Sequence, residues 1–231
     1  MTNHERYTQM SYFVQLLTAS LMASTLSGCM TNRVEESKNA ATGILDGESV
    51  VIMEASYHTG NDTEDKFIDC VSKAVQKGSN GISVFPDEAF VDALFPWFEP
   101  RTMPQEPEAL PDLFARPGVS ERMKDSGVRY IVWVTGATEQ SASGGSLSCA
   151  VAPGGGGCFG LAWWEDDAVY EAAIWDVRDG KSAGEVSANV HGTSVIPALV
   201  IPVPLIARTQ AAACKGLARE LQLFIIDSGP L

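Results

Sequence analysis

The five cysteines offer the widest choice of chemistry in this 231-residue chain. A thiol can be acylated, oxidised to a disulfide, or bind zinc as a thiolate. Cys29 stands apart from the other four, because it follows an uncharged apolar segment at residues 12–26 and the small residues Ser27 and Gly28. Its position predicts a different chemistry from that of the other cysteines.

The segment that precedes Cys29 is typical of a secretory signal. Its 15 residues are too few to cross a hydrocarbon core of about 30 Å as a helix, and it ends in small residues, as cleaved signals do. Leu26-Ser27-Gly28-Cys29 resembles the lipobox of bacterial lipoproteins. The resemblance implies cleavage before Cys29 and acyl chains on that residue, which hold a protein on a membrane without a spanning helix.

The residue after the lipobox cysteine, Met30, indicates the membrane in which the lipid anchor is expected. The resemblance to sorted lipoproteins implies that a chain without Asp at this position goes to the outer membrane of a Gram-negative host, with its folded part facing the periplasm. The amino-terminal region departs from the usual pattern, because Arg6 is balanced by Glu5. An ordinary signal peptide with a coincidental cysteine, or a buried amino-terminal helix, is therefore the alternative.

This interpretation divides the chain into a signal peptide at 1–28, a lipidated tether at 29–47 and one α/β periplasmic domain at 48–231. Residues 30–47 show no sustained hydrophobic period, which favours a flexible spacer. The formal net charge of −13 disfavours nucleic acid as a partner and argues against binding to anionic lipid through charge.

The remaining four cysteines form an even set, as expected for disulfides in an exported chain. Hydrophobic periodicity predicts one helix around Cys70 and another around Cys214, with each cysteine on the apolar stripe of its helix. Cys149 and Cys158 flank a short Gly-rich connector. We expect Cys70 to pair with Cys214 and Cys149 with Cys158; two free buried thiols and an unpaired loop pair are the alternatives.

The order of elements indicates a single mixed α/β sheet with helices packed on it. Strands are predicted at 48–57, 81–85, 128–135, 159–164, 168–177 and 185–191, and helices at 63–77, 87–97, 120–125 and 209–224. Asn61 and Glu64 stand in capping-box positions before the first helix, and Asp179-Gly180 is a strong hairpin signal. The Gly- and Ser-rich residues 141–157 are predicted as a loop.

Residues 48–226 are similar in their order of elements to the small α/β domains of envelope lipoproteins. Relatives of that shape include the curli-secretion channel lipoprotein, the penicillin-binding-protein activator lipoproteins and the amino-terminal domain of the Tol–Pal propeller protein. The resemblance implies a non-enzymatic binding or assembly domain and transfers no catalytic residue. Relatives of the curli type assemble into rings, which implies self-association as one form of partner.

His58 and His191 are the candidate acid–base residues, with Asp62, Asp65 or Asp87 to orient them. A chain of this length contains histidine–aspartate pairs by chance, so we interpret both histidines as surface or strand-end residues. A hydrolase that uses either histidine remains the enzymatic alternative.

Other ligand-binding patterns in the sequence are incomplete. Gly180-Lys181-Ser182 ends like a phosphate-binding loop, but Trp175 stands where that loop needs glycine. Glu165-Asp166-Asp167 could bind calcium, although adjacent acids at a strand end usually form a solvated turn. No Cys-x-x-Cys spacing supports zinc. We therefore expect no metal and no cofactor.

Two apolar features raise the question of partners. Phe95, Trp97 and Phe98 stand beside a proline-rich segment and could form a contact surface, the alternative being a helix end in the core. Residues 195–207 are uncharged and contain three prolines. We expect them to form a packed connection, with a contact surface as the alternative.

The sequence as a whole predicts a lipid-anchored envelope protein without a catalytic centre, which binds another envelope protein in assembly or export. A small-ligand carrier is a further alternative. It would need a sizeable apolar pocket lined by tryptophans, the candidates being Trp97, Trp133, Trp163 and Trp164.

Overall fold

A computed structural model describes residues 30–54, 63–78, 81–99, 102, 104 and 107–226. The strands are β1 (Met30–Lys38), β2 (Ser49–Glu54), β3 (Val84–Phe85), β4 (Val128–Ala152), β5 (Gly155–Asp176) and β6 (Lys181–Val200). The helices are α1 (Asp65–Lys77), α2 (Asp87–Ala93), α3 (Leu110–Phe114), α4 (Val119–Asp125) and α5 (Thr209–Ile226), with a 3-10 turn at Pro107–Ala109. Cys29, His58, Asn61 and Asp62 lie outside the described residues.

The six strands form one mixed sheet in the order β1-β6-β5-β4-β2-β3. Strand β2 pairs in parallel with β3 on one side and with residues 128–134 of β4 on the other. Turns at 153–154 and 177–180 join β4 to β5 and β5 to β6. The expected single mixed α/β sheet with helices packed on it is confirmed.

Alternating side chains of the central strands supply the two hydrophobic cores. On one face, Val50, Ile52 and Val132 pack with residues of α1 and α5. On the other face, Val51 and Trp133 pack with residues of α2, α3 and α4. Because helices cover both faces here, β2 and the start of β4 are continuous apolar runs, as is usual for strands that are buried on both sides.

The residues predicted as a flexible spacer include an edge strand instead. Strand β1 is next to β6 in the sheet, and seven of its nine residues are exposed. Its hydrophobic pattern is weak because only Val34 packs against the core cluster. Backbone pairing at the edge, rather than side-chain burial, therefore forms this strand.

The Gly- and Ser-rich residues 141–157 form strand rather than loop. They continue β4, turn at 153–154 and start β5. Gly145 (φ +86°) and Gly160 (φ +141°) explain part of the composition, because a Cβ atom at either residue would lie about 2 Å from a carbonyl oxygen of the facing strand. Glycine is needed there for the close approach of the two strands.

The acidic run Glu165-Asp166-Asp167 also differs from its prediction, because it lies within β5 and not in a turn. The two strands predicted at 159–164 and 168–177 are one continuous strand. Charged residues in the middle of a strand interrupt its hydrophobic pattern, so that sequence periodicity divides the strand at this point.

The chain divides into two compact units by its internal contacts. We call residues 142–165 and 192–207 the apolar unit, and the remaining described residues, from 30–141, 166–191 and 208–226, the core unit. Within the described part of the chain, none of the helices has the length and apolar content that crossing a membrane requires.

Candidate functional site

The apolar unit is almost free of charge. Glu165 is the single charged side chain among residues 142–165 and 192–207. The chain as a whole carries 29 acidic and 16 basic residues, so the charge is segregated into the rest of the molecule. Such segregation is typical of a surface that meets another apolar surface.

Exposed hydrophobic side chains concentrate in the same unit. Nine of the fourteen large hydrophobic side chains that are exposed in the described residues belong to it. They are Leu147, Val151, Phe159, Leu161, Leu199, Val200, Ile201, Val203 and Ile206. Val151 is 91% exposed, Leu199 79% and Ile201 73%. Exposed hydrophobic side chains that are concentrated in one part of a soluble protein are typical of an interaction site.

Residues 195–207 were expected to form a packed connection, and this expectation is wrong. The end of β6 reverses direction so that Val195 pairs with Leu205 and Ala198 with Pro202. Most of the large aliphatic side chains around this reversal are exposed. Prolines remove backbone donors without preventing a short antiparallel pair, which is why the segment forms an exposed hairpin.

Covalent and hydrogen bonds hold the apolar unit in shape. Cys149 and Cys158 form a disulfide across the β4–β5 hairpin, with their Cα atoms 4.0 Å apart. The Ala207 N–H donates to the Ser194 hydroxyl at 3.0 Å, and Ser194 is fully buried. A surface ordered in this way loses less conformational entropy when a partner binds.

The second predicted disulfide belongs to the core unit. Cys70 on α1 is bonded to Cys214 on α5, and their Cα atoms are 6.2 Å apart. Both predicted pairings are therefore confirmed. The bridge joins two helices that pack on the same face of the sheet, as the shared apolar stripes indicated.

The three aromatic residues predicted as a contact surface have different environments. Phe98 is buried and packs edge-on against Phe90, with ring centroids 5.2 Å apart. Trp97 is partly buried beneath the Arg122 guanidinium, 5.2 Å from the ring centroid. Phe95 is 58% exposed. Phe98 therefore lies in the core, as the alternative interpretation expected. Of these three aromatic residues, Phe95 alone is exposed.

His191 is paired with a carboxylate that the sequence did not single out for it. Its Nδ1 lies 2.5 Å from Asp167 Oδ1, and the bond joins neighbouring strands β6 and β5. The hydrogen bond from His191, followed by one from Ser141, holds the pKa of Asp167 below its usual value. Ser141 therefore lies within hydrogen-bonding distance of the same carboxylate.

The acidic run does not collect into a metal site. Alternation along β5 directs Asp166 to the opposite face from its neighbours Glu165 and Asp167. Among the residues that the structure describes, no group of three or more His, Cys, Asp or Glu is placed to bind a metal ion.

Trp133, one of the tryptophans proposed to line a carrier pocket, lies in the core unit. Trp133 is 1% exposed and belongs to the hydrophobic core. The cavity that it lines with Trp175 has a volume of about 60 Å³, well below the ~300 Å³ at which ligand pockets begin.

A buried polar cluster in the core unit was not predicted. Tyr170 donates its hydroxyl to Glu64 Oε2 at 2.7 Å, and the Thr138 N–H donates to Glu64 Oε1 at 3.0 Å. Glu64, placed in the capping box by the sequence, caps no helix through its side chain. Burial raises the pKa of Tyr170 to about 12. The cluster ties the start of α1 to β4 and β5.

Comparison with known proteins yields structural likeness only. No family model and no curated protein matches the chain. A PelC dodecamer from Paraburkholderia phytofirmans aligns with a TM-score of 0.42 at 13% identity, covering 85% of this chain and 99% of that one. The lipoprotein GNA1162 from Neisseria meningitidis aligns with a TM-score of 0.30 at 14% identity, covering 63% and 83%. At these TM-scores the likenesses carry no argument about the fold or the function of this chain.

Proposed function

We propose that this chain is a lipid-anchored, periplasm-facing envelope protein of the outer membrane that is not an enzyme and binds another envelope protein through its apolar unit. The observation that carries the proposal is the coincidence of exposed aliphatic side chains with a nearly uncharged segment. Burying one such side chain fully contributes about 1.5–3 kcal/mol. A few of them offset a large part of the free-energy cost of association, about 4–15 kcal/mol.

A protein partner suits this surface better than lipid hydrocarbon does. The strands that carry the exposed aliphatic residues are also rich in serine and glycine, at residues 141–148 and 154–157. Hydroxyl and backbone groups that enter hydrocarbon without partners cost several kcal/mol each, roughly. A protein surface that is apolar and uncharged at its centre and polar at its rim supplies the missing hydrogen bonds.

The anchor in this proposal is the acyl group on Cys29, which the lipobox resemblance implies. It supports binding because it confines the protein and its partner to the same membrane surface. Cys29→Ala is expected to leave unprocessed, unlipidated precursor, measured by the mass of the amino-terminal peptide. Normal processing of this variant would show that Cys29 is not the lipidation site, and the proposed membrane anchor would be wrong.

Crosslinking and pull-down from the fractionated envelope of the native host tests the binding surface. Leu199→Ser with Ile201→Ser is expected to lose the partner that the parent chain captures. Leu45→Ser with Leu223→Ser is the matched control, because these leucines are 64% and 47% exposed in the core unit. The control is expected to retain the partner.

Three results would count against the proposal. Equal capture by both double variants would place the partner elsewhere on the chain. Binding of the unacylated Cys29→Ala chain to uncharged lipid vesicles, lost in the Leu199→Ser variant, would replace the protein partner by lipid. Capture of further copies of this chain alone would make self-association the function of the surface.

A further inference from the structure

A cleft in the core unit concentrates positive charge in an otherwise acidic chain. Its volume is about 330 Å³, at the lower end of the ~300–1,000 Å³ typical of ligand pockets. It lies at the end of the sheet where the inner strands β2 and β4 begin. Its lining residues are Glu48, Lys124, Gly127, Val128, Arg129, Val177 and Arg178. Three of these seven residues are basic and one is acidic, in a chain of net charge −13.

Arg129 brings a buried, unsatisfied donor to this cleft. Its side chain is 8% exposed, and one of its terminal nitrogens bonds to Asp176. Its Nε has no hydrogen-bond partner in the described part of the chain, because Glu48 Oε2 is 3.9 Å away. Buried polar groups are nearly always hydrogen-bonded, so the orphaned N–H shows that Arg129, a residue that lines the cleft, is short of an acceptor.

The carboxylates near the cleft are already engaged by donors of the protein. Glu48 accepts from Arg178 and, at 2.8 Å, from the Leu45 N–H. Asp176 accepts from Arg129 and, at 2.9 Å, from the Asp179 N–H. A guanidinium group carries five N–H donors, so a bond from one nitrogen to a carboxylate does not use all of them.

Lys124 adds a charge that no carboxylate balances. It lines the cleft, and no ion pair involves it within the described residues. Arg129 and Arg178 each pair with a carboxylate, so the ammonium group of Lys124 gives the cleft a net positive charge. Guanidinium forks bind phosphate through two hydrogen bonds, and an ammonium group complements them as a point charge.

We propose that this cleft binds a phosphate group through Arg129, Arg178 and Lys124. The site is independent of the apolar unit and of the function proposed for it. The headgroup of a phospholipid and a soluble phosphorylated compound present the same chemistry, and the cleft is larger than phosphate alone needs.

Isothermal titration of the full chain with inorganic phosphate, in an uncharged detergent at low salt, tests the site. Lys124→Gln is the cleanest variant because Lys124 forms no ion pair with another described residue, and Lys66→Gln is its control on an exposed lysine of α1. Arg178→Gln is compared with Arg219→Gln on α5. The cleft variants are expected to weaken binding about tenfold each, the loss of one charge-assisted hydrogen bond, and the controls less than twofold.

The absence of saturable phosphate binding by the parent chain overturns the proposal. Equal weakening by the cleft and control variants overturns it as well, since it would show a general charge effect. Unchanged thermal unfolding of Lys124→Gln confirms that its loss of binding is local. Phosphatidylglycerol vesicles that displace bound phosphate assign the site to a lipid headgroup, whereas vesicles without effect assign it to a soluble phosphate.

Discussion

Tyr170 donates its phenolic hydroxyl to the carboxylate of Glu64, at 2.7 Å and across 106 positions of the chain. Thr138 also bonds to both residues, through its N–H to Glu64 and through its hydroxyl to Tyr170. Phe67 stacks on the Tyr170 ring, with centroids 3.4 Å apart. Residues from β4, β5 and the start of α1 thus meet in one cluster, which fixes where α1 begins against the sheet.

Tyr170→Phe is expected to destabilise the chain by about 1–3 kcal/mol, because it leaves a Glu64 oxygen without its donor in a partly buried site. Urea unfolding followed by circular dichroism measures the change. The stability of the parent should also decrease as the pH rises from about 10 to about 12. The pKa of Tyr170 is raised from 10.0 to about 12 by burial, so the unfolded state loses the proton first.

The phenylalanine variant has no such group, so its stability should depend less on pH in that range. An unchanged free energy of unfolding in the variant, together with an unchanged alkaline slope, would show that the hydroxyl does not support the cluster.

The two disulfides should differ in what their loss does. Cys70 and Cys214 are 144 positions apart and Cys149 and Cys158 only 9. In the chain-entropy model, closing these loops stabilises by roughly 5 and 2.5 kcal/mol. Replacing both members of the first pair with alanine should therefore lower the free energy of unfolding more than replacing both members of the second.

The second pair should instead govern binding. Without the Cys149–Cys158 bond the hairpin that carries Val151 and Phe159 is less ordered, so capture of a partner should weaken, while the free energy of unfolding decreases less than it does without the Cys70–Cys214 bond. Equal effects of both double variants on unfolding and on capture would contradict this division. Chemical denaturation and pull-down on the same preparations supply both measurements.

Secondary structure is predicted well from the sequence where burial requires a regular pattern of apolar residues. Residues 128–134 read as a central strand because helices cover both sides of them, and Cys70 and Cys214 share apolar stripes that pack together. Beyond residue 134 the same strand continues through glycine and serine, whose pairing is held by the backbone and leaves no hydrophobic period. Strand β1 was missed for the same reason.

The distribution of charged residues along the sequence could have identified the apolar unit. No Asp, Glu, Lys or Arg occurs between Glu139 and Glu165, or between Glu185 and Arg208. Two charge-free stretches in an acidic chain indicate a common environment even where neither stretch has a clear period. The exposure of their aliphatic side chains depends on tertiary structure, which is why residues 195–207 were expected to be packed.

Gly160→Ala is expected to disrupt the β4–β5 hairpin. A Cβ at Gly160 would lie 2.2 Å from the Ser146 carbonyl oxygen, and its φ of +141° disfavours any other residue. Gly157→Ala is the matched control in the same strand, since its Cβ would have its nearest contact at 3.5 Å, with Val200. Amide hydrogen exchange across 142–165 should accelerate in the first variant alone. Similar exchange in both would show that the close approach is not required.

The Asp167–His191 pair should act on stability and not on catalysis. Hydrogen bonding to His191 lowers the pKa of Asp167 below 3.8, so the pair contributes stability that is present above about pH 4 and is lost as the pH falls through the lowered value. His191→Gln should flatten the dependence of the urea midpoint on pH in this acid range. It should leave capture of the envelope partner unchanged, because His191 lies outside the apolar unit. A hydrolytic activity that the parent shows and His191→Gln lacks would restore the enzymatic interpretation of this histidine.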